Sequence, residues 1–287
     1  MTRVQHEFKL QKFDATKMDT SRAVVVIGGS GTGKSHIVKA LLYNNRSIPS
    51  GLVFSGTEDG DAFFSKFVPD LWVFNDWLPD KVEALITHQR RHKKTIDDME
   101  EQIVYHESKG QANSAKQMRI EQKRRLRDMR KYIVIDDLGF KKNLTRSDTL
   151  RKLFMNGRHW GVYTILTLQY CMDLDISLRG NAGYIFMCRE MIVNYRRRLY
   201  ESFCGMLPSF AVFEKVFDAC TQNYEVLVID RTSKSSRVED CLFWWRAEPT
   251  YNFKLGSAKI WDLHHKRYDT NHDETQSNLQ KRKTRRG

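Results

Sequence analysis

Gly28-Gly29-Ser30-Gly31-Thr32-Gly33-Lys34-Ser35, entered from the apolar run Ala23-Val24-Val25-Val26-Ile27 and left through His36-Ile37-Val38-Lys39-Ala40-Leu41-Leu42, decides the fold. It matches the phosphate-loop pattern G-x-x-x-x-G-K-[ST] at every fixed position, in the required order of strand, glycine loop and helix. Glycines let consecutive backbone N–H groups turn inward around phosphates, Lys34 reaches the β and γ oxygens, and the Ser35 hydroxyl can take a Mg²⁺ coordination site. A helix starting at the lysine adds its N-terminus to the anion site. The expected ligand is a nucleoside triphosphate with Mg²⁺. No base-binding motif separates ATP from GTP.

A phosphate loop holds a nucleotide without hydrolysing it, so acidic and water-orienting groups must be sought elsewhere. Tyr132-Ile133-Val134-Ile135-Asp136-Asp137 ends four β-formers in two carboxylates. That places Asp136 at the C-terminal end of a central strand, where it can hold a Mg²⁺-bound water beside Ser35. Asp137 is then the candidate general base or water-polarising group. Further on, Val162-Tyr163-Thr164-Ile165-Leu166-Thr167-Leu168 ends in Gln169, an amide suited to orienting water or sensing the γ-phosphate.

Other short apolar runs occur at Gly51–Ser55, Leu71–Phe74 and Gly183–Met187, continuous as strands buried on both faces are. Helix-length stretches such as Arg146–Arg158 and Met191–Met206 separate several of them. The expectation is an α/β protein: a mostly parallel sheet of the P-loop NTPase type (RecA/ASCE-like) flanked by helices. Glu225–Asp230 and Cys241–Trp245, around Arg231–Arg237, predict a C-terminal β-hairpin that extends the sheet. From Lys81 to Lys131 Gly110 is the only glycine and there is no proline, which predicts a charged insertion of two long helices turning near Gly110–Ser114. The expected organisation is one ATPase domain over 1–260 with the insertion at about 81–131, then a basic tail over 261–287 without fixed structure.

The chain of 287 residues carries a net charge of +13, which favours work beside a polyanion, nucleic acid first. Between Lys109 and Lys131 nine basic residues face two acidic ones. A solvated helix face and a DNA contact are both open there. Candidate DNA contacts are Lys123, Arg124, Arg125 and Arg127, with Arg231, Lys234 and Arg237 between the hairpin strands. The five cysteines lack metal-binding spacing, and with no signal-peptide core at the N-terminus they read as reduced thiols. No apolar run approaches membrane-spanning length.

These motifs, together with Asn156-Gly157-Arg158-His159-Trp160-Gly161-Val162, Thr167-Leu168-Gln169 and Leu178-Arg179-Gly180-Asn181, make residues 20 to 250 resemble the poxvirus-type DNA-packaging ATPases of nucleo-cytoplasmic large DNA viruses, in the FtsK/HerA superfamily. The resemblance implies an ATP- and Mg²⁺-dependent motor, assembled as a homo-oligomeric ring, that drives double-stranded viral DNA into a capsid. It implies phosphate and metal roles for Lys34 and Ser35, metal and water roles for Asp136 and Asp137, and γ-phosphate sensing by Gln169. It further implies an arginine supplied in trans, with Arg179 the first choice and Arg158 the alternative. A capsid or virion-membrane partner and a location in the host cytoplasm, the virion or the nucleus go with it. The sequence departs from many superfamily relatives in having Asp137 where they carry Glu. Three alternatives stay open: a helicase or helicase loader on single-stranded DNA, using Trp244-Trp245 for stacking; an ATP-binding scaffold in virion assembly; and, third, a small-molecule kinase.

Overall fold

The computed structural model describes residues 10–138 and 144–268. Nine strands among them form one sheet in the order β1-β9-β8-β7-β2-β6-β5-β3-β4. They are β1 (Gln11–Lys12), β2 (Ala23–Ile27), β3 (Ser50–Ser55), β4 (Val73–Phe74), β5 (Lys131–Asp136), β6 (Val162–Leu168), β7 (Ala182–Met187), β8 (Glu225–Asp230) and β9 (Leu242–Arg246). From β7 to β4 every pairing is parallel, and β8 alone runs against its neighbours, as one arm of the expected hairpin. All the parallel strands therefore finish on one edge of the sheet, called the upper edge below.

Side chains alternate across the strands. Val25 and Ile27, Ile133 and Ile135, and Ile185 and Met187 enter one apolar layer; Val24 and Val26, Tyr132 and Val134, and Tyr184 and Phe186 enter the other. Burial on both faces is why these strands read as unbroken apolar runs rather than alternating ones. Helix α1 (Lys34–Asn44) covers the second layer through Ile37, Val38, Leu41 and Leu42. The short α2 (Glu58–Asp61) follows β3. The first layer lies under α3 (Pro79–Ser108), α5 (Asp148–Asn156), α7 (Val193–Phe203) and α8 (Phe210–Cys220).

Gly51 sits where this packing is tightest. A Cβ there would lie 2.2 Å from the Tyr132 carbonyl oxygen and 2.4 Å from its fully buried ring. Since neither backbone nor packed ring can withdraw, Gly51→Ala is expected to cost about 1–3 kcal/mol of unfolding free energy. A chemical-denaturation midpoint equal to that of the parent protein would contradict this packing.

The charged insertion is the expected helical pair, α3 and α4 (Ala112–Met129). Helix α3 descends from the upper edge, packs Val82 and Ile86 against the sheet, and reaches the lower edge at Gln89, whose amide donates to the Met129 and Trp160 carbonyls at 2.6 and 2.7 Å. From Gln89 to Ser108 the helix continues for ~28 Å beyond the sheet. Ile96, Ile103, Ala115 and Met129 are buried along the hairpin. Ionic contacts such as Arg119 with Glu107 lace its outside. The hairpin thus projects from the edge opposite the phosphate loop.

Some bounds differ from expectation. The Arg146–Arg158 stretch becomes α5 and then a 3-10 turn at Gly157–Trp160, ended by Gly161 at φ +65°. The Leu71–Phe74 run keeps only two strand residues. Helix α9 (Ala258–Arg267) crosses the expected domain limit at residue 260, held by a Trp261 Nε1 bond to the Leu255 carbonyl at 3.0 Å. Residues 269–287, most of the expected basic tail, lie outside the described residues. Trp245 is buried and Trp244 is half-buried against the core, so the two do not form an exposed stacking pair. All five cysteines are free. Among the described residues no helix is long and apolar enough to cross a membrane.

Candidate active site

At the upper edge of β2 the chain turns sharply: Gly28 N donates to the Leu168 carbonyl of β6, and Cys188, just past β7, donates back to the Ile27 carbonyl. The phosphate loop is therefore pinned by the strand on either side. Gly31 and Gly33 take φ +75° and +92°, the left-handed region that favours glycine. A Cβ on Gly28 would meet Cys188 Cβ at 2.5 Å and Thr32 Oγ1 at 2.6 Å. Burial beneath the loop pushes the Cys188 thiol up to about 11, leaving it an uncharged filler.

Lys34 opens α1 and is buried, with its ammonium donating to the Gly29 carbonyl at 3.0 Å. The Ser35 hydroxyl donates to Asp136 Oδ2 at 3.0 Å. Asp136, 1% exposed at the end of β5, takes a second bond at Oδ1 from Thr167 Oγ1 at 2.7 Å. Burial raises the Asp136 carboxyl above its ordinary value, and the Thr167 and Ser35 donors oppose that rise. The same Thr167 oxygen accepts from the Asp137 backbone N–H at 3.0 Å, so one hydroxyl positions both acids. Asp137 stands at φ +50°, unusual away from glycine. Its Oδ1 accepts from Gln169 Nε2 at 2.6 Å.

The expected constellation of Lys34, Ser35, Asp136, Asp137 and Gln169 is thus assembled at one edge by β2, β5 and β6. Thr167 belongs to it too, although nothing in its spacing marked it beyond membership of Thr167-Leu168-Gln169. A cleft of about 790 Å³ opens beside the loop and runs from Thr57, Phe63 and Asp137 across Ser35 to Tyr224 and Arg246–Thr250. Nothing in the sequence pointed to Thr57, Phe63, Tyr224 or Arg246–Thr250 as its walls, because each enters from a separate element.

A triphosphate and Mg²⁺ suit these residues. The N-terminal turn of α1 has no side-chain cap, leaving N–H groups for phosphate oxygens. The buried ammonium and the Ser35 and Asp136 oxygens supply the charge and hard donors the pair requires. Ser35 and Asp136 would hold the metal, which when bound neutralises charge on the phosphate oxygens.

The other candidates lie elsewhere. Arg179 in α6 (Ile176–Asn181) precedes β7, so it sits at the lower edge. It donates to the Leu174 carbonyl at 2.8 Å and to Ser202 Oγ at 3.2 Å. Arg158 is exposed at the same edge, bonded to the His159 ring at 3.1 Å. The Arg231–Arg237 loop follows β8, again at the lower edge, and Arg231 bonds the Arg179 carbonyl. Arg124 and Arg125 on α4 share Glu121, Arg127 approaches Asp128, and Arg237 approaches Glu239 and Asp240. β8 and β5 are four strands apart in the sheet. At strand spacing the loop and the base of α4 are therefore separated by ~19 Å along one edge.

Viral proteins are the relatives this chain finds. An uncharacterized protein of Acanthamoeba polyphaga mimivirus is 30% identical over 266 residues, 92% of this chain and 86% of its own length. Coverage of 92% leaves about 23 of the 287 residues unmatched, fewer than the 27 before Gly28, so that alignment spans the phosphate loop. An uncharacterized protein of Invertebrate iridescent virus 3 is 29% identical over 82% of this chain and 81% of its own. Among solved structures, B204, the DNA-packaging ATPase from Sulfolobus turreted icosahedral virus, superposes with a TM-score of 0.50 at 18% identity. The match covers 82% of this chain and all of B204, and establishes the shared P-loop ATPase fold. The model of the Poxvirus A32 protein family matches residues 78–237, from the cap of α3 through both acids, Gln169 and the hairpin loop. With more than half of its length under that model, this chain belongs to the Poxvirus A32 protein family.

Proposed function

We propose that the protein is an ATP-hydrolysing motor that moves double-stranded viral DNA into the capsid, working as a ring of identical subunits with Mg²⁺-ATP between them. The observation that carries the proposal is the joining of Ser35 to Asp136 and of Asp137 to Gln169 around one phosphate loop. Ser35 and Asp136 hold the metal, Lys34 holds the β and γ oxygens, and Asp137 takes the proton of the attacking water while Gln169 orients it. B204 is described as a DNA-packaging ATPase, and the family match points the same way.

DNA is assigned to the lower edge. The α4 arginines, Lys123 and the Arg231–Arg237 loop lie there, and a packaging motor must read phosphates rather than bases. Arg158 and Arg179 share that edge, a sheet's length from their own phosphate loop. Either can therefore serve catalysis only for a neighbouring subunit. Arg179 has three intrachain side-chain bonds to give up first, to Leu174, Ser202 and Met172, whereas Arg158 has one. A capsid or virion-membrane partner, and a site of action in the host cytoplasm or virion, complete the proposal. The burial of Trp245 and the packing of Trp244 against the core weaken the stacking helicase alternative.

Turnover of ATP by the full chain is expected to rise on adding duplex DNA and to fall back as salt is raised. Removing arginines of α4 that neutralise DNA phosphates should reduce the log–log salt slope of DNA binding by ~0.9 for each phosphate no longer neutralised. Stronger activation by single strands would favour the helicase alternative; no turnover by an assembled, DNA-bound oligomer would favour a scaffold.

A further inference from the structure

The cleft beside the phosphate loop has two unlike ends. At one, β5 and β6 gather the acids, and on the reading proposed above this is the metal and γ-phosphate end. At the other, β8 begins and β9 finishes, and the wall is made of Tyr224 and the segment Arg246–Thr250. A nucleotide laid along α1 with its γ-phosphate toward Asp137 must carry its base toward this second end.

Tyr224 is presented there in an unusual way. Asn223 and Tyr224 both take left-handed backbone angles, φ +52° and +62°. Asparagine tolerates that region, but a bulky aromatic in it is an outlier that persists only when its surroundings enforce it. The enforcement is visible: Glu225 N donates to the Gln222 carbonyl at 2.8 Å, and β8 is then locked into the sheet by Met187 and Trp244 opposite Leu227. Packing does not explain where the ring goes, because Tyr224 is 69% exposed. Its edge lies over the last glycine of the phosphate loop, 3.4 Å from where a Cβ on Gly33 would stand. A strained turn thus holds an open aromatic face at the start of α1.

We propose that Tyr224 is the platform on which the nucleobase stacks, with Arg246–Thr250 as the facing wall. Stacking uses the π-face that every base has, so Tyr224 contributes affinity for a nucleoside over bare phosphate rather than a choice among bases. Any such choice falls to the polar groups of Arg246, Glu248 and Thr250.

The test is calorimetric binding of Mg-ATP and of magnesium tripolyphosphate to the full-length protein. Tyr224→Ala should weaken ATP by about 5- to 100-fold with tripolyphosphate unchanged, and Tyr224→Phe should bind ATP as the parent does. Tyr224→Gly relaxes the left-handed backbone; it should raise the unfolding midpoint yet lose ATP affinity as the alanine variant does, a pairing that a purely structural role does not produce. Unchanged ATP affinity in the alanine and glycine variants, or parallel weakening of both ligands, would overturn the assignment. A parent protein that binds neither ligand would instead remove the nucleotide reading on which it rests.

Discussion

Lys34→Ala protein is expected to bind Mg-ATP weakly and to turn it over at least about 10²–10³-fold more slowly than the parent. The ammonium is buried inside the loop and held 3.0 Å from the Gly29 carbonyl, so it already stands in the space the phosphates would enter. A charge fixed in a screened site interacts with phosphate far more strongly than the many surface lysines can. None of them can substitute, since the loop is closed in by β6 on one side and Cys188 on the other. Lys34→Arg should fail as well, because a planar fork does not fit a site shaped for a point charge. The fold should survive, as the lysine contributes no core packing. Steady-state phosphate release with calorimetric ATP binding is the measurement; turnover close to the parent's would mean that this loop is not the catalytic one.

The phosphate loop was legible because its chemistry demands fixed residues at fixed spacing, and the four central strands because burial on both faces makes them continuous apolar runs. Asp136 and Asp137 followed from the same reading, since a carboxylate at the end of such a run sits at the upper edge. Thr167 was another matter. Its hydroxyl bridges the two acids only because β5 lies beside β6 in the register that opposes Ile135 and Leu166. Spacing along one strand does not reveal that. Tyr224 was hidden for a similar reason: it is ordinary in sequence, and only its left-handed backbone and its place over Gly33 single it out. Helix α8 buries Phe213, Phe217 and Cys220 and turns Lys215 and Asp218 outward, and its start is marked by the Ser209 hydroxyl accepting from Val212 N at 3.3 Å. Helix α9 is polar enough to read as tail, and the tryptophan that docks it, Trp261, stands alone. The insertion's two helices were plain from their length without glycine or proline. Their direction was not, because it depends on Gln89 meeting the lower edge.

Asp137→Asn separates catalysis from binding most cleanly. Loss of a positioned general base is worth about 10²–10⁴-fold in rate, and turnover should fall by that amount. The exchange keeps the carbonyl oxygen that accepts from Gln169 Nε2, and the Asp137 backbone bond to Thr167 does not involve the side chain. Asparagine also tolerates a φ of +50° as well as any residue but glycine, so the turn that aims the side chain should persist. What disappears is the capacity to accept a proton. Mg-ATP affinity should therefore remain near the parent's while bound ATP stays intact. Asp136→Asn would behave differently, because that oxygen pair belongs to the metal end and is bonded by Ser35 and Thr167. In the Asp136 variant binding should weaken along with turnover. The decisive comparison is single-turnover hydrolysis of pre-bound ATP in the two variants, with unfolding midpoints measured alongside. If Asp137→Asn released phosphate at the parent's rate, the proton would have to leave by another group, and Asp137 would be reduced to holding Gln169 in place.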